Sequence, residues 1–238
     1  MVPRSIKNRV RENLLVKDEV FTASVARIDP GIETIFDVGA NVGDVTLYML
    51  EAFPRSTIYA FEPCSSSFAI LSRRVAESGQ TERVNLFNLG FYDAAGSDTL
   101  HITTHHGANS LVGITPEYRE ANPQVRECAA EQVALVRLDD FVAEKGIAHV
   151  DLMKIDVEGA ESKVIAGGRK TLSTMVDAVM CEISFVRHPR ARGEFIKVFQ
   201  LLHDCGLAPA EIYDLWQSES GAPWRLGQFD CVFRRFDA

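Results

Sequence analysis

Phe36-Asp37-Val38-Gly39-Ala40-Asn41-Val42-Gly43-Asp44 is the stretch on which the reading of this chain turns. An apolar run over residues 34–38 enters a glycine-bearing turn and leaves it as a helix. The glycines let the backbone approach a bound ligand closely, and Asn41 tolerates a positive φ almost as glycine does. Such a loop after a first strand is where open α/β sheets bind nucleotides. The spacing is not the dinucleotide fingerprint: counted from Gly39, GxGxxG requires glycine at positions 41 and 44, which hold Asn41 and Asp44. There is no Gly-Lys-Ser/Thr phosphate loop either. Asp37 beside the turn repels phosphate and suits a ligand that carries an ammonium or sulfonium group.

Outward from this turn the chain alternates strand and helix, the pattern of a parallel sheet covered on both faces. A helix runs from about Gly43 to Pro54. A second strand at Thr57–Phe61 is capped by Glu62 and Pro63. Ser65, Ser66 and Ser67 are N-cap candidates for the next helix, whose Phe68, Leu71 and Val75 recur at helical spacing before Gly79. A third strand is expected over 84–91, then a tight hairpin turn at Asp93-Ala94-Ala95-Gly96 into a strand at 99–103. Weak periodicity over 104–132 reads as a long loop or lid. A short helix from Leu138 to Gly146, a strand at 150–157, a helix at 160–174, a strand at 177–184 and a helix at 194–204 follow. The runs at 211–216 and 229–236 are joined too closely for a crossover helix, so they form an antiparallel pair. The expected fold class is α/β: a Rossmann-like, mostly parallel sheet with one antiparallel strand and helices on both faces. Residues 1–30 are expected to form an N-terminal helical extension and 31–238 a single domain.

The bulk numbers agree. A chain of 238 residues, 46% of them apolar, buries one sizeable core. A net charge of -8 and a pI near 5.3 argue against a nucleic-acid partner. The five scattered cysteines fit neither a disulfide framework nor a zinc site and point to reduced thiols in the cytoplasm. The opening MVPRSIKNRVRENLL lacks the apolar core of a signal peptide, and no run is long enough for insertion in a membrane. The sequence does not fix an oligomeric state.

Two further elements carry chemistry. Glu62 ends the second strand about 20 residues past the glycine loop, where an acid accepts hydrogen bonds from both ribose hydroxyls of NAD or S-adenosylmethionine (SAM) alike. In Asp151-Leu152-Met153-Lys154-Ile155-Asp156-Val157-Glu158-Gly159-Ala160-Glu161, strand alternation puts Lys154 and Asp156 on one face. Charges within a doubly covered strand are costly unless paired. Glu182 repeats the oddity in the next strand. Lys154 therefore either forms a purely structural ion pair with Glu182 or serves the site.

The runs FDVGANVGDVTLYM, AFEPCSSSF, LDDFV and DLMKIDVEGAE followed by GG resemble the FkbM-type family of class I SAM-dependent methyltransferases. The resemblance extends from about Thr34 to Ser184. It implies a seven-stranded sheet, six strands parallel and one antiparallel, and SAM as cofactor. It places Asp37, Gly39, Ala40, Asn41 and Gly43 along the methionine end of SAM, Glu62 and Pro63 at the ribose, and Asn88 toward the adenine or ribose. Asp156 and Glu158 would face the transferred methyl.

Methyl transfer to an alcohol needs a proton acceptor. Asp156 is the first candidate, with Glu182 and His188 next. His105 and His106 fall in the expected lid, where they either contact substrate or are simply exposed polar residues. No recognised metal spacing is present, although Asp156, Glu158 and Glu182 offer the oxygens a hard cation favours. The implied acceptor is a hydroxyl on a sugar or glycan, or on a polyketide-type natural product. Its choice is expected to rest with residues 104–132, the N-terminal helices and the loop carrying Trp216 and Trp224. The competing readings are an NAD-dependent oxidoreductase and a catalytically silent methyltransferase-like binding module.

Overall fold

The computed structural model describes residues 31–185, 191–217 and 226–236. The expected N-terminal extension, His188 and Trp224 lie outside them, as does the side chain of Trp216. In chain order the elements are β1 (Thr34–Val38), α1 (Asp44–Ala52), β2 (Thr57–Phe61), α2 (Ser65–Glu77), β3 (Val84–Phe87), β4 (Gly90–Phe91) and β5 (Gly96–Thr103). Then come α3 (Pro116–Ala121), β6 (Glu127–Val136), α4 (Leu138–Lys145), β7 (Val150–Ile155), α5 (Glu161–Gly167) and α6 (Arg169–Thr174). The chain continues with β8 (Val176–Ser184), α7 (Ala191–Asp204), β9 (Leu207–Gln217) and β10 (Leu226–Arg235).

Seven strands form one sheet in the order β3-β2-β1-β7-β8-β10-β9. Strand β10 runs antiparallel to both neighbours, and every other pairing in this sheet is parallel. This is the architecture the strand pattern predicts. Its central strands are apolar on both faces because both are covered. Ile35, Ile58 and Leu152 pack with Met49 and Leu50 of α1 and Leu71 of α2. Phe36, Phe61 and Met153 face Phe141 of α4, Val164 of α5, Leu172 of α6 and Leu202 of α7. Phe61 alone has four aromatic neighbours within 5.2 Å, among them Phe91 at 4.5 Å and Phe141 edge-on at 5.1 Å. Strand order reverses between β1 and β7, β2 and β3 following β1 to one side and β8 following β7 to the other, which creates a switch-point crevice at their carboxyl ends.

The amino ends are tied differently. Asp151 Oδ2 accepts the backbone N–H of Glu33 and Thr34 at 3.0 and 2.7 Å. His149 Nε2 lies 2.9 Å from Asp177 Oδ2 and 3.4 Å from Asp151 Oδ1. Among the described residues no helix is long and apolar enough to cross a membrane.

Five expectations need correction. The strand foreseen over 84–91 is two strands in two sheets. Asn88 breaks it by turning its amide onto the carbonyls of Glu62 and Pro63, at 2.8 and 3.0 Å. The stretch 104–132 is not a bare loop, because β6 begins at Glu127 and builds a second sheet, ordered β4-β6-β5. Only Val133 and Leu135 of β6 are buried, so the ribbon shows no alternation along most of its length. Asp93-Ala94-Ala95-Gly96 does not join paired strands, since β6 inserts between β4 and β5. The helix foreseen over 160–174 breaks at Gly167-Gly168. A Cβ on Gly167 would lie 2.0 Å from the Tyr92 carbonyl oxygen, so the helix end sits directly on the segment that joins β4 to β5 of the second sheet. The cap of α2 also differs. Its N-terminal Ser65 donates from N–H and hydroxyl to Glu131, a side chain of β6.

Candidate functional site

The glycine turn wraps the end of β1 against the start of the loop after β7. Gly39 has φ +84°, and a Cβ there would lie 1.8 Å from the Asp156 carbonyl oxygen. Gly39 and Ala40 both donate to the Phe61 carbonyl, which draws the turn toward the end of β2. Asn41, at φ +50°, presents its N–H to Glu62 Oε2 at 2.8 Å, and Cys64 N–H reaches Oε1 at 2.8 Å. Glu62 is nearly buried, and that burial pushes its carboxyl up to about 7, against the downward pull of the two N–H donors.

Asp37 is fully buried and accepts the Thr46 hydroxyl at 2.6 Å. Lys154, only 4% exposed, places Nζ 3.3 Å from Asp37 Oδ1, 3.3 Å from Asp156 Oδ2 and 3.1 Å from the Gly39 carbonyl oxygen. The Asp37 contact is a charge contact rather than an aligned hydrogen bond. Burial pulls the Lys154 ammonium down, yet Asp156 and Asp37 more than reverse it and hold it above the ordinary lysine range. The structural Lys154–Glu182 pair is therefore not what forms. Lys154 stands opposite Asp37 on β1 and opposite Met180 on β8, two residues short of Glu182. Glu182 instead accepts Gln228 Nε2 at 3.0 Å. Its burial first, and then Asp156, Glu158, Asp230 and Glu161, push its carboxyl well above the carboxylate range.

The loop after β7 is held by a residue that sequence reasoning left without a role. Glu161 Oε1 accepts the N–H groups of Val157 and Gly159 at 3.2 and 3.0 Å, and burial raises its carboxyl. Glu158 sits at φ +58°, a position few non-glycine residues adopt, and the Ser110 hydroxyl donates to its carbonyl at 2.6 Å. Ser110 belongs to the second sheet's connection, which roofs the crevice. His106 Nδ1 lies 3.1 Å from Asn41 Oδ1.

The resulting cavity has an apolar wall of Leu89, Phe91, Leu100 and Leu111. Its polar wall is Asn41, Glu62, Asp156 and Glu158, and its roof includes His106, Gly107 and Asn109. Of the expected cofactor residues, Gly39, Asn41, Glu62, Pro63, Asp156 and Glu158 line it. Asp37, Ala40, Gly43 and Asn88 stand behind it. Asp37 anchors Lys154, Gly43 (φ +91°) packs against Leu71 as α1 begins, and Asn88 buttresses the Glu62-Pro63 backbone. Leu100 was missed, whereas Asn109, Ser110 and Leu111 lie in the stretch 104–132 expected to meet the acceptor, where the polar run His105-His106-Gly107-Ala108-Asn109-Ser110 stood out. Among the described residues, the set that brings three metal-ligating side chains within 4.8 Å of one another is His149, Asp151 and Asp177, at the other end of the sheet.

Residues 37–207 match the Methyltransferase FkbM domain family. The chain belongs to the FkbM methyltransferase family. It is 30% identical over 204 residues to the 31-O-demethyl-FK506 methyltransferase FkbM of Streptomyces tacrolimicus, covering 77% of this chain and 76% of that protein. It is 30% identical over 145 residues to the 2-O-methyltransferase NoeI of Sinorhizobium fredii, covering 58% of each. The magnesium protoporphyrin IX methyltransferase of Synechocystis, solved with bound SAM, shares the fold at a TM-score of 0.52 and 10% identity. That match covers 99% of this chain and 86% of the other. This FkbM-family chain is thus a SAM-dependent methyltransferase of the class I fold, as its motifs imply. The O-methyltransferase names of its relatives agree with the expected transfer to oxygen.

Proposed function

We propose that this FkbM-family enzyme methylates a hydroxyl oxygen of a sugar or polyketide-type acceptor. The observation that carries the donor half is Glu62. Both its oxygens are fixed by backbone N–H groups, and the carboxylate faces a cavity with one apolar wall. That wall suits a purine, and the fixed carboxylate suits two ribose hydroxyls. The turn lacks the GxGxxG spacing that cradles the diphosphate of NAD, and no Lys or Arg lines the cavity among the described residues. The His106–Asn109 side of the roof offers polar groups to a hydroxyl-rich acceptor, while the FK506-directed relative supports a macrolide-type hydroxyl as the second reading.

Bound SAM supplies an already activated methyl group, so the residues need only align, desolvate and take a proton. The acceptor oxygen forms the new C–O bond as the S–CH₃ bond breaks, and its proton passes to a carboxylate. Asp156 has one oxygen on Lys154, which suits it to a cationic neighbour. Glu182, on the neighbouring strand β8 with Gln228 Nε2 on one oxygen, is a second carboxylate proposed for the proton; it does not itself line the cavity.

The test is a calorimetric titration with SAM, S-adenosylhomocysteine and NAD, followed by methyl-labelled SAM with a panel of glycosides and macrolides. Binding of the two sulfur nucleotides and label in a base-stable ether product are expected. Binding of NAD alone, or turnover on no hydroxyl while an amine is labelled, overturns the assignment.

A further inference from the structure

Lys154 is the group that the mechanism above leaves without a task. A buried ammonium that merely tied two strands together would need one carboxylate. This one meets three oxygens drawn from both sides of the crevice: Asp37 Oδ1 at the back as a charge contact, and the Gly39 carbonyl and Asp156 Oδ2 at the front. Gly39 and Asp156 line the cavity, whereas Asp37 is fully buried behind them. The Gly39 carbonyl has two lone pairs, of which Lys154 occupies one. Asp156 has Oδ2 on Lys154, and its side chain is 34% exposed where the cavity begins. Two carboxylates around one ammonium leave this array one negative charge in excess. A second cation therefore completes it, and phosphate is repelled.

We propose that Lys154 is a positioning residue for the amino-acid end of the methyl donor: anchored on Asp37, it sets the Gly39 carbonyl and the Asp156 carboxylate as paired acceptors for the donor's ammonium group. The proposal rests on the reading of the cavity as the SAM site. It makes Lys154 responsible for gripping one end of the donor and indifferent to the nucleoside end, which Glu62 and the apolar wall hold.

That division gives a readout that loss of folding cannot imitate. S-adenosylhomocysteine carries the amino-acid end, and 5′-methylthioadenosine is the same nucleoside thioether without it. Both are titrated into wild type and Lys154→Met, the weaker ligand by displacement at high concentration. The expected result is a loss of about 10- to 100-fold in affinity for S-adenosylhomocysteine, with methylthioadenosine binding unchanged. The Asp37→Asn/Lys154→Met double variant removes the buried charge together with its anchor and should show the same selective loss if the single variant folds poorly. Lys154→Arg keeps the charge but not the compact three-way contact, and should recover only part of it. Equal losses for both ligands, or no loss for either, overturn the proposal and leave the donor site standing. A wild type that binds neither ligand sinks the donor-site reading itself.

Discussion

Glu62 makes the affinity for SAM depend on pH in a way that can be worked out beforehand. Its carboxyl is raised to about 7 because burial penalises the charge. A protonated Glu62 has one acceptor fewer for the ribose and a proton facing the wrong way, so the ionised form is the binding form. With a carboxyl titrating near 7, the ionised fraction is about one tenth at pH 6 and about one hundredth at pH 5. The apparent Kd should then rise about tenfold per pH unit below 7 and level off above 8. Glu62→Gln should abolish the slope. At pH 8 it should also weaken binding by about 10- to 100-fold, because the amide turns a donor toward the N–H of Asn41 or Cys64 and one charge-assisted bond is lost. The folded carboxyl is raised, so in the ligand-free protein this group's stabilising contribution is full below about 4.5 and is lost as pH rises through about 7. At ~1.4 kcal/mol per pH unit that is about 3 kcal/mol, which SAM binding offsets at pH 8. Calorimetric titrations from pH 5.5 to 8.5 on wild type and variant decide the matter. A wild-type affinity flat over that range, or a slope that survives in Glu62→Gln, refutes the reasoning.

Gly39→Ala forces a left-handed φ on alanine and drives its Cβ into the Asp156 carbonyl, so chemical denaturation should show a loss of at least ~2 kcal/mol. Glu182→Gln should lower kcat by about 10²- to 10⁴-fold with SAM affinity essentially unchanged; equal losses in both would remove Glu182 as proton acceptor. Gly167→Ala adds up to ~1 kcal/mol of helix propensity but meets the Tyr92 carbonyl at 2.0 Å, where overpacking costs about 1–3 kcal/mol. A lower melting temperature is therefore expected, and an unchanged or higher one would show that the contact between α5 and the Tyr92 segment yields.

The parallel sheet was legible because its strands are covered on both faces, so TIFDV and VDLMKI stand out as apolar runs between helices. The turn at Gly39 and the acid at Glu62 were legible from spacing along the chain. The second sheet was not. Most of β6 faces solvent, and the residues that make it a ribbon pair with β5, about 30 positions earlier, through backbone bonds that carry no side-chain signature. The partner of Lys154 was misjudged for a similar reason. Alternation reports which face a side chain takes, but only the register tells that Asp37 stands beside it and Glu182 two residues beyond its other neighbour. Glu161 was hidden in plain view: it starts a helix, where an acid is ordinary, and its work on the N–H groups of Val157 and Gly159 shows only once the loop is folded.

His149, Asp151 and Asp177 gather at the amino margin of the sheet, while Asp37, Lys154 and Asp156 gather toward the other. His149 and Asp156 are seven residues apart on one extended stretch, about 23 Å end to end. The two groups of charges therefore scarcely feel each other through solvent. A charge change at His149 or Asp177 should thus leave the electrostatics of the methyl-transfer margin unaltered, whereas Asp151 must stay because it holds the first residues of β1.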